Sequence, residues 1–175
     1  MILPHDLLTN SRTVKIVESL PRTKRIVDVG CGIRPFPVFP CPEYVCIEPH
    51  AEYVEHLREW DRGGPVEIIQ AEAEAVSGQP RKDTTVLLID VIEHMEKERG
   101  ERIRDLLMEF EHAIIFTPLG WYPQDEETPD CWGLNGGYWQ KHRSSWQPED
   151  FKGWGVRTWK NWHSKHDVGA ILAIR

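Results

Sequence analysis

The sequence predicts an α/β protein whose parallel sheet is covered by helices on both faces. Three observations predict it. Short apolar runs of strand length recur along the chain, stretches with helical spacing of apolar residues lie between them, and a glycine turn follows the first run. Apolar strands alternating with amphipathic helices are the pattern of a parallel sheet buried on both sides. The 175 residues suit one domain spanning 1–175, and a chain this long buries a core without disulfide or metal staples.

Residues 9–20 open with capping residues and place Val14, Val17 and Leu20 on one helical face. The run from Arg25 to Gly30 is a first strand ending in glycine. Residues 44–48 form a second strand, and 51–60 a helix that turns Tyr53, Val54, Leu57 and Trp60 towards the core. Gly63-Gly64-Pro65 breaks the chain. Residues 66–70 and 84–90 are a third and a fourth strand. Residues 96–111 carry Ile103, Leu106, Leu107 and Phe110 at helical spacing, and 112–117 are a fifth strand. A connection rich in Gly, Pro and Trp runs from Pro118 to about Gln147. Pro148 then opens a helical turn, where its missing N–H costs nothing. Residues 156–162 and 168–174 close the chain as an antiparallel pair.

Charged residues make up 28% of the chain and hydrophobic ones 40%, which excludes disorder as a whole. A net charge of −7 opposes tight binding to nucleic acid. The charge is uneven: residues 139–175 hold seven Lys/Arg, three Asp/Glu and five of the eight tryptophans. No run approaches ~20 consecutive apolar residues, so no membrane span is expected. The N-terminus lacks the basic start and apolar run of a signal peptide, and the expected location is the cytoplasm. Cys31, Cys41, Cys46 and Cys131 form no Cys-x-x-Cys pair and have no matching histidine spacing. Reduced thiols and no metal are therefore expected.

The chemistry gathers at strand ends. Asp28-Val29-Gly30-Cys31-Gly32 follows the first strand, and its glycines let the backbone turn sharply and approach a ligand. The acid before the glycines suits a cationic group such as an α-ammonium. Glu48 ends the second strand, 16 to 18 residues beyond the glycines. That is near the ~20 expected of a carboxylate bridging two ribose hydroxyls. Glu72, ahead of Glu74, follows the third strand and can accept from an adenine amino group; a solvated helix start is the alternative. Asp90-Val91-Ile92-Glu93-His94 ends the fourth strand, where open α/β sheets bind ligands.

DVGCG, Glu48, AEA, DVIEHM and TPLG, in this order, resemble the class I S-adenosylmethionine (SAM)-dependent methyltransferases over roughly residues 25–120. The resemblance implies a Rossmann-like seven-stranded sheet of order 3-2-1-4-5-7-6, mostly parallel with the last strand antiparallel. It implies SAM as cofactor across the carboxyl ends of strands one to four. Asp28, Gly30 and Gly32 would hold its methionine portion, with Cys31 in the same turn. Glu48 would hold the ribose, followed by Pro49. Glu72 would lie near the adenine, and Asp90 and Val91 would floor the methyl end.

Two departures stand out. Arg34 replaces a third small residue and is a candidate for the cofactor carboxylate or a substrate anion, a surface position being the alternative. The segment from Ile33 to Glu43 has four prolines, which forbid the helix expected there. An extended proline loop is expected instead.

The long connection after the fifth strand is the expected substrate region, ordered because of its aromatics. Trp121, Tyr122, Tyr138 and Arg143 are the candidate contacts for a small-molecule acceptor. His142, then His94, are the candidate general bases. Lys141 and Arg143 would keep His142 neutral. The expected function is methyl transfer to an oxygen or nitrogen nucleophile, with a sugar or a nucleotide-like molecule among the acceptors. The alternatives are a non-catalytic SAM-binding or partner-regulating protein and, more remotely, a dinucleotide dehydrogenase, whose fingerprint would place glycine where Pro35 stands.

Overall fold

The computed structural model describes residues 11–33, 35, 41–59, 65–125, 130–163 and 168–175. The expectations for Arg34 and Trp60, for the Val14 side chain and for most of the proline loop lie outside this description. The helices are α1 (Ser11–Ser19), α2 (Ala51–Arg58), α3 (Lys97–Leu107) and the single turn α4 (Gly137–Gln140). The strands are β1 (Arg25–Val29), β2 (Glu43–Ile47), β3 (Val66–Ile69), β4 (Thr84–Ile89), β5 (His112–Leu119), β6 (Gly155–His163) and β7 (Val168–Ile174).

The seven strands form one sheet in the order β3-β2-β1-β4-β5-β7-β6, as the resemblance implied. β1 to β5 run parallel, and β7 is antiparallel to both neighbours. Val29 pairs with Ile47 on one side and Leu88 on the other, so the ends of β1, β2 and β4 are level at one edge. Side chains alternate across the sheet. Val27, Val29, Val86, Leu88 and Ile115 fill one face with Trp146 and Phe151. Ile26, Leu87, Ile114, Phe116 and Leu172 fill the other with Ile16 and Leu57. Both faces are apolar because helices and loops cover both.

Most boundaries shift by one or two residues, and two of the shifts have a clear physical cause. The α3 helix ends at Leu107 rather than near 111, and the chain tightens into turns with Phe110 N–H donating to the Leu107 carbonyl at 3.1 Å. That turn still buries Phe110, so helical spacing and burial part company there. β5 runs on to Leu119 because β7 supplies partners for Pro118 and Leu119.

The long connection returns to the core at Trp146, which is fully buried against Phe151. Its Nε1–H donates to Ser144 Oγ at 3.0 Å, and the Lys97 ammonium lies 3.6 Å from its ring. Trp146 thus belongs to the scaffold, and it anchors the far end of the loop. Trp146→Ala should cost about 3–5 kcal/mol of unfolding free energy through the cavity left behind. Chemical denaturation checks this; a loss below about 1 kcal/mol would show that the anchor is elsewhere.

Candidate active site at the carboxyl edge of the sheet

After β1 the chain turns with Gly30 and Gly32 at φ +67° and +59°, a region that L side chains avoid. Space is as restrictive as conformation. A Cβ at Gly30 would lie 2.7 Å from a Val91 methyl, and one at Gly32 would enter the Trp132 ring. Glu48, buried just beyond β2, completes the turn. Its Oε2 accepts from Gly32 N–H and its Oε1 from His50 N–H, both at 2.9 Å. Burial pushes the Glu48 carboxyl up, and the His50 and Gly32 N–H groups pull it down; burial prevails. A carboxylate has about four acceptor positions, so the two N–H groups leave capacity for hydroxyl donors.

Two clefts adjoin this edge. The first, of about 240 Å³, takes Gly30, Gly32, Glu48, Pro49, Glu72, Asp90 and Val91 from the strand ends. Ile47 and Met95 add apolar wall. The second, of about 320 Å³, takes Asp28, Cys31 and Asp90 together with Glu93, His94, Tyr122 and His142. Gly30, Asp90, His94, Trp132 and Gln140 line both. Asp28 is buried on the second side, accepting from the Tyr44 hydroxyl at 2.7 Å. Asp90 closes β4 at φ +54°, its N–H donating to the Phe116 carbonyl at 2.8 Å.

The remaining sequence candidates are spread around these clefts. Tyr138 and Arg143 line the first, with the Arg143 guanidinium 4.6 Å from the Tyr138 ring. Tyr122 lines the second, while Trp121 is exposed and lines neither. Glu72 is exposed at the mouth of the first cleft, where Arg99 binds both Glu72 (2.5 Å) and Glu74 (2.6 Å). The Arg99 hydrogen bond holds the Glu74 carboxyl below its ordinary range. Arg99, Tyr53, Trp132, Gln140 and Glu93 were not singled out as site residues from sequence. Tyr53 showed only as a core position of α2, and Arg99 only as a polar residue of α3.

The long loop is latched over the first cleft by Asp130. Its carboxylate accepts from the backbone N–H groups of Trp132 (3.0 Å), Leu134 (2.7 Å) and Gly136 (2.9 Å) and from the Tyr53 hydroxyl (2.8 Å). Gln140 Nε2 joins both Asp130 and Tyr53 at 2.8 Å. His50 reaches the Leu134 carbonyl at 2.6 Å, and Asn135 donates to Glu52. Glycine is needed at 136 because any Cβ there would strike the Tyr53 hydroxyl. Burial raises the Asp130 carboxyl, but these donors outweigh it and hold it down at about 2.

The His94 and His142 rings meet edge-on, with centroids 4.8 Å apart. His142 is buried, and its Nδ1 lies 2.7 Å from the Tyr122 carbonyl. That oxygen can only accept, so Nδ1 carries the proton and Nε2 keeps its lone pair. Burial lowers both histidines, His94 to about 4. For His142 the expected direction holds with a different cause. Burial leads, Glu93 opposes it and His94 adds to it, rather than Lys141 and Arg143.

No family model matches the chain, and no curated protein sequence matches it. Solved structures do. A SAM-dependent methyltransferase from Leishmania major is 14% identical with a TM-score of 0.68, over 98% of this chain and 72% of that one. One from Archaeoglobus fulgidus is 15% identical, TM-score 0.60, over 96% and 93%. Magnesium protoporphyrin IX methyltransferase from Synechocystis, with bound SAM, is 13% identical, TM-score 0.60, over 98% and 79%. The chain therefore has the class I SAM-dependent methyltransferase fold.

The latch yields a test. Asp130→Ala should free the loop, so that protease cleavage within residues 121–140 speeds up while the global denaturation midpoint moves little. Because the folded carboxyl titrates near 2, below the ordinary carboxylate value, the latch should hold above pH ~4 and weaken as pH falls towards 2. Unchanged cleavage of Asp130→Ala would show that Asp130 does not hold the loop.

Proposed function

We propose that the chain is a SAM-dependent methyltransferase that binds SAM in the first cleft and a small-molecule acceptor in the second. The observation that carries this reading is the junction of the two clefts at Gly30 and Asp90, beneath the latched loop. The residues of the first cleft fit SAM. Glu48 has acceptor capacity for the two ribose hydroxyls, Ile47, Val91 and Met95 offer apolar wall, and the glycine turn leaves backbone open to the methionine portion. Asp28, beside the turn on the second side, supplies negative charge for the α-ammonium.

Bound SAM supplies an electrophilic methyl on sulfonium, and the protein's part is to aim it and an acceptor at one another. Asp90 and Gly30 border both clefts and so mark where the methyl passes. On the acceptor side Tyr122, Glu93, His94 and His142 form the wall. The two histidines are placed to act on the acceptor's proton, His142 first because its tautomer is set by the Tyr122 carbonyl. Tyr138 and Arg143 lie at the first cleft and contact the acceptor only where it extends past the junction. The fold likeness to a methyltransferase with bound SAM agrees with this reading.

Titration calorimetry with SAM, its demethylated product and NAD tests the cofactor: the first two should bind and NAD should not. Turnover against an acceptor panel then separates an enzyme from a SAM-binding regulator. Glu48→Ala should weaken SAM by ~1–3 kcal/mol, because a charged acceptor of two hydroxyls is lost. Glu48→Gln, which keeps an acceptor oxygen for only one of the Gly32 and His50 N–H groups, should also weaken SAM binding. Equal affinity in all three proteins would remove Glu48 from the cofactor site. His142→Ala should cut turnover by roughly 10²–10⁴-fold while SAM affinity stays the same; undiminished turnover would leave the second cleft without its main actor.

A further inference from the structure

Glu93, His94 and His142 do more than line a wall. One ring nitrogen of each histidine and one Glu93 carboxylate oxygen lie within 4.8 Å of one another. Three donors that close can all be reached from a point no more than about 2.8 Å from each, and zinc bonds run about 2.0–2.2 Å. Small side-chain rotations would close the difference. Glu93 and His142 are buried, and all three residues border the second cleft.

The surroundings are those of a held ligand set. Thr117 Oγ1 donates to Glu93 Oε2 at 3.0 Å, orienting the carboxylate. His142 Nδ1 faces the Tyr122 carbonyl at 2.7 Å and His94 Nδ1 the Lys141 carbonyl at 3.2 Å. With Nδ1 on a carbonyl, Nε2 of each ring would be the ligand, the usual arrangement of metal-binding histidines. The backbone carbonyl of Glu93 accepts from Arg143 N–H (2.8 Å) and Ser144 N–H (3.1 Å), which ties the loop bearing His142 to the turn bearing Glu93.

We infer that Glu93, His94 and His142 form a binding site for one divalent transition-metal ion of the zinc type, open on the second cleft. Two imidazoles and a carboxylate suit such an ion, and three protein ligands leave a position for an exchangeable oxygen. The ion site stands on these residues alone. Its consequence for the acceptor rests on the methyl-transfer reading: the acceptor is a hydroxyl compound. Its oxygen would bind the ion and release its proton to water. The resulting alkoxide oxygen would form a bond to the methyl carbon while the carbon–sulfur bond breaks and its electron pair stays on sulfur. The products are the methyl ether and the neutral thioether of the demethylated cofactor. The histidines would then act on the acceptor's proton through the ion they hold. The sequence gives no short spacing between ligands that would point to such a site, because His94 and His142 meet only through the fold.

The test uses the full chain, stripped with a chelator and titrated calorimetrically with Zn²⁺, and separately with Co²⁺ while its visible absorption is followed. One ion per chain should bind, with the intense Co²⁺ bands of a low-coordinate site. His94→Ala and His142→Ala should each weaken binding roughly 100-fold or more, since even indirect supports of metal ligands are worth 10–100-fold. Glu93→Gln preserves shape and an acceptor for Thr117, and should weaken binding while leaving thermal unfolding close to native. His112→Ala, at the far end of β5, and Cys131→Ser, which removes the exposed thiol near the cleft, should bind as the native protein does. Absence of stoichiometric binding, binding that survives in Glu93→Gln and His142→Ala, or binding lost in Cys131→Ser would overturn the site. SAM titration of the stripped protein is read separately. Failure there would sink the methyltransferase reading and leave the ion site standing.

Discussion

The Glu48 carboxylate holds the cleft edge of the sheet together. It receives one N–H from the turn after β1 and one from the start of α2, so two chain segments that pair only as strands are also joined beyond the strands. Without that acceptor, the Gly32 N–H would end in a buried position at a cost of about 1–3 kcal/mol. The same group has lone pairs to spare, and it faces the cleft. One side chain thus shapes the turn and presents acceptor capacity to the cleft, and its two N–H donors make burial of an acid tolerable there.

What covers that edge is set by a second, half-buried acceptor network rather than by apolar packing. Asp130 gathers three backbone N–H groups of its own loop and the hydroxyl of Tyr53 from α2. Residues 130–140 of the loop therefore have a polar point of attachment to α2. Trp132 is laid across Gly32, and Gly136 against Tyr53, at distances that only glycine accepts. A cover held by hydrogen bonds at one end and by a buried tryptophan at the other can release the first without disturbing the second.

Much of this was legible in the sequence, and the reason is local. Strand positions follow from short continuous apolar runs, and the glycine turn and Glu48 follow from where those runs end. The strand order came through the family resemblance, and the structure bears it out. The parts that were not legible depend on the path of the long loop. Trp146 reads like its neighbours Trp132 and Trp139 in sequence, yet it is core, because the chain has by then returned to β5. Glu93 stands inside a motif that drew notice for Asp90 and His94, and its partners Thr117 and His142 come from other elements. The neutral state of His142 was anticipated from adjacent cations, while its cause is burial under a loop whose course no spacing reveals.

The proposed placement of the cofactor beneath the Asp130 latch is open to direct measurement by amide hydrogen exchange with and without the demethylated cofactor. Slowed exchange should appear together in residues 28–33, 47–54 and 130–140, with β6 and β7 unchanged. Saturating ligand that leaves these three segments as they were, or protects only the β6–β7 end of the sheet, would contradict a cofactor bound across the ends of β1, β2 and β4.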